Sequence, residues 1–150
     1  MSVFPTRILL ATDGSPDAEL ANATAVDLAN STNSELHVVT VARSPDPAYL
    51  TEAGPTLNYE QLIQNVRQGA QKTLEEQVSK IERSGGKVEK AHVRVGESRD
   101  QEIVALGEEE GVGLIVMGSR GLGGMRRALL GSVSDSVVRN AHCPVMVVRH

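Results

Sequence analysis

The sequence predicts an α/β domain in which helices cover both faces of a parallel, five-stranded sheet. Short segments with the apolar or alternating pattern of strands recur along the chain, and longer stretches with apolar residues every three or four positions separate them. This β-α-β-α-β-α-β-α-β order, with right-handed crossovers, gives a parallel sheet. Functional residues of such sheets lie beyond the carboxyl ends of the strands, at the point where the strand order reverses.

The first half of the chain contains two predicted strands, each followed by a predicted helix. The first strand, residues 7–12, is continuously apolar up to its last residue, and Ser15 and Pro16 after it are the residue types that cap and begin a helix. The second strand covers residues 35–41. Prolines then interrupt residues 43–57, and the longest helix is predicted after them.

The second half repeats the alternation. Residues 88–95 alternate between apolar and polar types, with His92 facing solvent, as is typical of an edge strand. A helix capped by Ser98 follows, and residues 113–118 form a fully apolar strand. The last predicted elements are a helix over residues 132–140 and a strand over residues 144–149.

Composition excludes several classes of function. The 150 residues carry 15 Lys+Arg against 19 Asp+Glu, a net charge of −4, and only 2% aromatic residues, which disfavours nucleic-acid binding and base stacking. A single cysteine, Cys143, excludes an intramolecular disulfide. The apolar run at residues 8–11 is too short for a signal or membrane segment. We therefore expect one cytoplasmic domain over residues 1–150.

The glycine-rich segment 118–132 is the most informative part of the chain. It holds five glycines, three arginines and no acidic residue. Consecutive backbone amides in such a segment form a concavity for anions, and the following helix directs its positive end at it, with Ser132 and Asp135 as an acidic capping box. The alternative is a plain connection with arginines for solubility. We favour a phosphate-binding segment because basic residues and a helix start coincide at a strand's carboxyl end.

Two common phosphate motifs are absent. No GxxxxGK[ST] motif occurs, which excludes a P-loop. A dinucleotide fingerprint fails because Arg126 occupies the place of its third glycine, and because the segment follows the fourth predicted strand instead of the first.

The glycine-rich segment contains the spacing Gly-x2-Gly-x9-Gly-Ser, formed by Gly118, Gly121, Gly131 and Ser132. This spacing is similar to that of the ATP-binding branch of the universal stress protein superfamily. The sequence resembles that superfamily over essentially its whole length. The Asp-Gly-Ser after the first strand and the C-terminal Cys-Pro-Val-Met-Val-Val are similar to the family as well. The expected fold is then a single-domain, Rossmann-like open sandwich with strand order 3-2-1-4-5.

The resemblance implies which residues surround ATP. Backbone at Val41 would hold the adenine, Ala11, Thr12 and Asp13 would line the adenosine end, and Asp13 would approach the nucleotide or its Mg²⁺. The residues implied at the floor of the pocket and the phosphates are Met117, Gly118, Gly121, Gly131, Ser132 and Val133. Arg120 is added from its charge alone. From the residues alone, Asp13 is as well explained as a turn residue before Ser15.

These observations leave three functional hypotheses. The leading one is an ATP-binding regulatory or stress-response module, with Mg²⁺ as cofactor, in which nucleotide occupancy orders the glycine-rich segment and alters contacts with a protein partner. A slow ATPase or phosphotransferase at the same pocket is the second, although no catalytic constellation is recognisable. A nucleotide-free dimeric scaffold is the third. The apolar strand Val145–Val148, expected at a sheet edge, and the resemblance both indicate a homodimer.

Overall fold

The computed structural model describes residues 2–48, 58–119 and 130–149. The strands in these ranges are β1 (Arg7–Ala11), β2 (Glu35–Arg43), β3 (Val88–Gly96), β4 (Leu114–Gly118) and β5 (Val145–Val148). The helices are α1 (Pro16–Thr32), α2 (Tyr59–Arg83), α3 (Arg99–Glu109) and α4 (Ser132–Asn140). None of these helices has the length and apolarity needed to cross a bilayer.

The strands form one parallel sheet in the order β3-β2-β1-β4-β5, which confirms the predicted Rossmann-like topology. Strand β1 lies at the centre, where Ala11 pairs with Val39 of β2 on one side and with Met117 of β4 on the other. From β1 the chain forms β2 and then β3 on one side of the central strand. The next strand, β4, lies on the other side of β1. The strand order therefore reverses between β1 and β4, and a functional cleft is expected there.

Two apolar layers stabilise the sheet, one on each face. Along β1 the side chains alternate, so that Ile8 and Leu10 enter the layer shared with α1 and α2, while Leu9 enters the layer shared with α3 and α4. Ile8, Leu9 and Leu10 are all completely buried, which explains why this strand reads as a continuous apolar run. Burial on both faces fixes the register of β1.

The start of α1 confirms the predicted helix signal. Ser15 is the N-cap residue and its Oγ accepts a hydrogen bond from the Ala18 amide at 3.3 Å, while Pro16 occupies the first helical position.

The predicted capping box at α4 is wrong. Gly131 is the N-cap residue, Ser132 is the first residue of the helix, and no side chain caps it. Asp135 pairs instead with Arg139 one turn later, at 3.2 Å. Ser134, and not Ser132, bonds the chain before the helix, since its Oγ donates to the Ser119 carbonyl.

Strand β3 lies at the sheet edge as predicted, but the side chains of its polar face are not all exposed to solvent. The side chain of His92 is only 19% exposed and faces β2 and the end of α3. Because α3 packs over this part of the sheet, alternation alone misassigned His92 to solvent. Strand β2 continues to Arg43, two residues beyond its predicted end, because it stays paired with β3 through Arg43 and Gly96.

Candidate ligand-binding site

A cleft of about 210 Å³ opens at the carboxyl ends of β1, β2 and β4, where the strand order reverses. The residues that line it are Ala11, Thr12, Asp13, Ser15, Ala18, Val39, Val41, Arg99, Ile103, Met117, Gly118, Ser119, Gly131, Ser132, Val133 and Ser134. Its apolar part is formed by strand ends and by Ile103 of α3, and its polar part by the turns that follow β1 and β4. A cleft with an apolar wall and convergent polar groups is the usual form of a small-molecule site.

The structure brings together the predicted site residues that it describes. Those that line the cleft are Ala11, Thr12, Asp13, Val41, Met117, Gly118, Gly131, Ser132 and Val133. Arg120 and Gly121 lie outside the described residues. The roles of individual residues toward ATP stay predictions.

Hydrogen bonds to the neighbouring strand hold the end of β1. The Thr12 amide donates to the Val39 carbonyl at 3.0 Å, and Thr40 Oγ1 donates to the Thr12 carbonyl at 3.1 Å. One carboxylate oxygen of Asp13 accepts a hydrogen bond from the Ser15 amide at 2.9 Å. Asp13 therefore has the turn role that its sequence context suggests and also lies in the cleft wall.

Gly118 ends β4 in close contact with the start of α1. A Cβ atom at this position would lie 2.9 Å from the backbone carbonyl carbon of Asp17 and 3.1 Å from the Ala18 nitrogen. The contact is with backbone, which cannot move aside as a flexible side chain can. A glycine is therefore needed here to bring β4 against α1, whatever the cleft binds.

Ser119 connects that contact to the last helix. Its Oγ donates to Asp17 Oδ2 at 2.7 Å, and its carbonyl accepts hydrogen bonds from Ser134 Oγ and from the Gly131 amide, each at 2.6 Å. Both Ser119 and Ser134 are 2% exposed. This buried network fixes the first turn of α4 over the end of β4.

The first turn of α4 makes its side of the cleft electropositive. The first backbone amides of a helix have no intrahelical acceptor and carry the positive end of the helix dipole. Here these are the amides of Ser132, Val133 and Ser134, all in residues that line the cleft. An anionic group is stabilised at such a position.

Arg99 lines the cleft, although the sequence did not indicate it as a candidate site residue. It is the first residue of α3, it is exposed, and among the described residues of the cleft it is the only cationic one. In the sequence it follows β3, two strands away from β1, and so seemed remote. Helix α3 crosses back from β3 toward β4, which brings Arg99 to the cleft. The only sequence feature that could have indicated Arg99 was its position next to Ser98, the predicted N-cap residue of a helix.

A hydrogen-bonded carboxylate beside Arg99 joins α3 to α4. Asp100 Oδ2 accepts a hydrogen bond from Ser136 Oγ at 2.5 Å, and Asp100 Oδ1 accepts from Ser98 Oγ. Ser98 is the N-cap residue of α3 as predicted, but its hydroxyl bonds this carboxylate and no backbone amide. The hydrogen bonds from Ser136 and then Ser98 lower the pKa of Asp100 from 3.8.

The lowered pKa of Asp100 predicts a pH-dependent stability. A carboxyl group whose pKa is lower in the folded than in the unfolded chain stabilises the fold above the unfolded value and loses that contribution as pH falls through the folded value. We expect the unfolding free energy of the wild type to fall more steeply than that of Asp100→Asn below pH 3.8. Urea unfolding of both proteins between neutral and acid pH measures the difference, and parallel curves would contradict the assignment.

The fold and cleft together define a doubly wound α/β protein with its candidate site at the switch point of the sheet. The universal stress protein family model matches residues 5–149, and the chain belongs to that family. The chain is 34% identical to the universal stress protein YxiE of Bacillus subtilis over 147 residues, covering 95% of this chain and 98% of that protein.

Two solved structures have the same fold. The hypothetical protein MJ0577 superposes with a TM-score of 0.79 at 28% identity, covering 98% of this chain and 97% of that chain. The universal stress protein from Archaeoglobus fulgidus in complex with dAMP superposes with a TM-score of 0.66 at 25% identity, covering 95% of this chain and 96% of that chain.

Proposed function

We propose that this protein binds ATP with Mg²⁺ in the cleft, and that it acts as a cytoplasmic regulatory module whose contacts with other proteins respond to nucleotide occupancy. The observation that carries the proposal is that separate segments of the chain meet at one cleft. Residues after β1, at the end of β2 and on both sides of segment 120–129 line one cleft, and a helix start faces it. The dAMP bound by the Archaeoglobus fulgidus relative supports an adenine nucleotide as the ligand class.

The two ends of the cleft suit the two ends of the nucleotide. Backbone near Val41 and the apolar surface of Ile103 and Met117 suit the adenine ring. The amides at the start of α4, together with Arg99, suit the phosphates. Asp13 would hold Mg²⁺ beside them, since Mg²⁺ binds through one or two carboxylates and substrate phosphates. Bound Mg²⁺ would neutralise part of the negative charge on the phosphates.

The polar groups of the cleft suit the binding of ATP better than its rapid hydrolysis. Among the described lining residues Asp13 is the only carboxylate, and one of its oxygens already accepts the Ser15 amide. No histidine lines the described part of the cleft. A phosphoryl-transfer site needs a group that positions or activates the nucleophile. The described residues therefore support retention of ATP more than turnover.

Titration calorimetry of the wild type with Mg-ATP tests the proposal. We expect saturable binding of one nucleotide per chain, and ATP or AMP in the supernatant when freshly purified protein is denatured and assayed by mass spectrometry. No detectable heat at millimolar Mg-ATP, with no nucleotide carried through purification, would support the nucleotide-free scaffold instead. Steady phosphate release that is lost in Asp13→Asn would support the slow ATPase.

Arg99→Ala should weaken Mg-ATP binding by about tenfold or more, because a charge-assisted hydrogen bond contributes about 1.5–3 kcal/mol. Arg139→Ala is the matched control, since Arg139 is a 74% exposed arginine on α4 that is paired with Asp135 and does not line the cleft. Calorimetry on the three proteins gives the comparison. Equal affinities for the wild type and Arg99→Ala would remove Arg99 from the site.

The proposed module is a homodimer that assembles through Val145–Val148. Strand β5 lies at the edge of the described sheet, and Met146 is 36% exposed on it. An edge strand with apolar side chains offers unpaired backbone groups to a second copy. Static light scattering at micromolar concentrations should give twice the mass of the chain, whereas a monomer mass throughout would contradict this assembly.

A further inference from the structure

A second group of chemically reactive side chains lies away from the cleft, toward the opposite end of β2. It consists of His37, His92 and Glu110, and one possible metal-ligand atom from each lies within 4.8 Å of the others. His37 precedes Val41 by four residues, so about 13 Å of strand separates His37 from the adenine end of the cleft. His92 is nearer, since it pairs with Val39 of the cleft wall, but none of the three residues of the cluster lines the cleft. The cluster is therefore distinct from the candidate nucleotide site.

Strand register and the end of α3 bring the three residues together. Val39 of β2 pairs with His92 of β3, which places His37 and His92 diagonally on the same face of the sheet. Their ring centroids are 6.0 Å apart. Glu110 is the C-cap residue of α3, the helix that packs on this face, and its side chain is 19% exposed. None of these placements depends on residues 120–129.

His37 is a buried imidazole with one nitrogen unpaired. Its side chain is 1% exposed, and Nε2 lies 3.4 Å from Glu35 Oε2. Nδ1 has no hydrogen-bond partner among the described residues, and it lies 4.0 Å from Glu110 Oε2. An unpaired buried nitrogen destabilises the fold unless a ligand satisfies it.

Glu35 is the hydrogen-bonding partner of the other ring nitrogen of His37. A carboxylate that accepts the proton of one ring nitrogen fixes the tautomer and leaves a lone pair on the other nitrogen. In the tautomer of His37 that donates from Nε2 to Glu35, this lone pair is on Nδ1, which lies 4.0 Å from Glu110 Oε2. Two acceptors side by side repel each other unless a proton or a cation lies between them.

His92 presents a second unpaired nitrogen to the same carboxylate. Its Nε2 has no hydrogen-bond partner among the described residues and lies 3.8 Å from Glu110 Oε1. Burial lowers the pKa of His92 and, with His37, Lys90 and Arg94 nearby, outweighs the opposite influence of Glu110. His92 Nε2 and His37 Nδ1 both lie within 4.0 Å of the Glu110 carboxylate.

Glu110 supplies the negative charge. Burial raises its pKa, but the hydrogen bond and charge of Lys90, together with the nearby His92 and His37, lower the pKa of Glu110 overall. Lys90 Nζ lies 3.3 Å from Glu110 Oε2, and its side chain is 57% exposed. Lys90 can therefore move into solvent when another cation takes its place.

We propose that His37 Nδ1, His92 Nε2 and the Glu110 carboxylate bind one divalent transition-metal ion of the Zn²⁺ type, with water as the fourth ligand. Two imidazoles and a carboxylate are a common Zn²⁺ ligand set, and Glu35 is the outer carboxylate that such a histidine usually has. Ligand atoms at about 2.0–2.2 Å from Zn²⁺ in a tetrahedron are roughly 3.3–3.5 Å apart. The two histidine–Glu110 separations are 3.8 and 4.0 Å, and the cluster as a whole lies within 4.8 Å, so the side chains must draw together by up to about 1.5 Å to reach that geometry.

Metal titration of the full chain without an affinity tag tests the proposal. We expect calorimetry with ZnCl₂ to show one ion per chain, and Co²⁺ to give the intense visible absorption of a tetrahedral site, which Zn²⁺ then displaces. His92→Leu and Glu110→Gln should each weaken Zn²⁺ binding by about tenfold to a hundredfold, since even loss of an outer-shell partner has an effect of that size. His142→Gln and Glu109→Gln are the matched controls outside the cluster and should bind as the wild type does.

Three results would overturn the proposal. One is the absence of saturable Zn²⁺ and Co²⁺ binding by the wild type, which would indicate that a water molecule bridges the three side chains. Another is undiminished binding in His92→Leu and Glu110→Gln. The third is equal weakening in the control variants, which would indicate adventitious binding by surface groups. Circular dichroism checks that each variant is folded, and Mg-ATP calorimetry should be unchanged in all of them.

Discussion

Gly118→Ala should lower the unfolding free energy by about 2 kcal/mol, within the range of 1–3 kcal/mol found for overpacked positions. The added Cβ would meet the Asp17 backbone at 2.9 Å. Relief of this contact requires β4 and α1 to separate, which also strains the hydrogen bond from Ser119 to Asp17. Urea unfolding monitored by circular dichroism measures the change.

Gly69→Ala is the matched control for this substitution. Gly69 lies in α2, and a Cβ atom built there meets nothing within 4 Å. Alanine at an open helical position should raise stability by about 0.5–1 kcal/mol, because glycine loses more backbone entropy on folding. A stability of Gly118→Ala equal to that of Gly69→Ala would show that β4 and α1 are not in the close contact described.

Ser132→Glu should reduce Mg-ATP affinity by at least tenfold while leaving the fold intact. Ser132 is exposed at the first position of α4 and lines the cleft, so a carboxylate there would compete with phosphate for the helix amides and repel it. The same carboxylate favours the helix by about 0.3–1 kcal/mol, because it lies at the positive end of the dipole. Calorimetry and thermal unfolding together separate the two effects.

Ser132→Gln is the matched control, because it has nearly the size of glutamate without the charge. We expect it to retain most of the wild-type affinity. Equal losses in both variants would indicate steric blocking, and wild-type affinity in Ser132→Glu would place the phosphates elsewhere.

The architecture could be predicted because the determining signals are local. Continuous apolar strands such as β1 indicate burial on both faces, and Ser15 with Pro16 marks a helix start. The family resemblance added the strand order that places the ends of β1 and β4 together, and it assigned residues as distant as Asp13 and Ser132 to one site. Both residues line one cleft.

The features that the sequence missed depend on contacts between elements. Gly131 is the N-cap residue of α4 because the Ser119 carbonyl, outside the helix, accepts hydrogen bonds from the Gly131 amide and from Ser134 Oγ. Arg99 reaches the cleft through the path of α3. His37 and His92 lie near each other because of the pairing of β2 with β3, including an irregularity after Leu36, which no periodicity encodes. Arg120 and Gly121 lie outside the described residues, so the predicted role of Gly121 rests on the motif and that of Arg120 on its charge.

The most direct test of an adenine nucleotide in the switch-point cleft is a Mg-ATP titration of isotopically labelled protein followed by backbone amide NMR. The amides of residues 11–13, 117–119 and 131–134 should shift and saturate together, and those of α2 along residues 70–83 should not. Saturating shifts confined to another surface, or no shifts at millimolar Mg-ATP, would contradict the proposed function and leave the cleft without an assigned ligand.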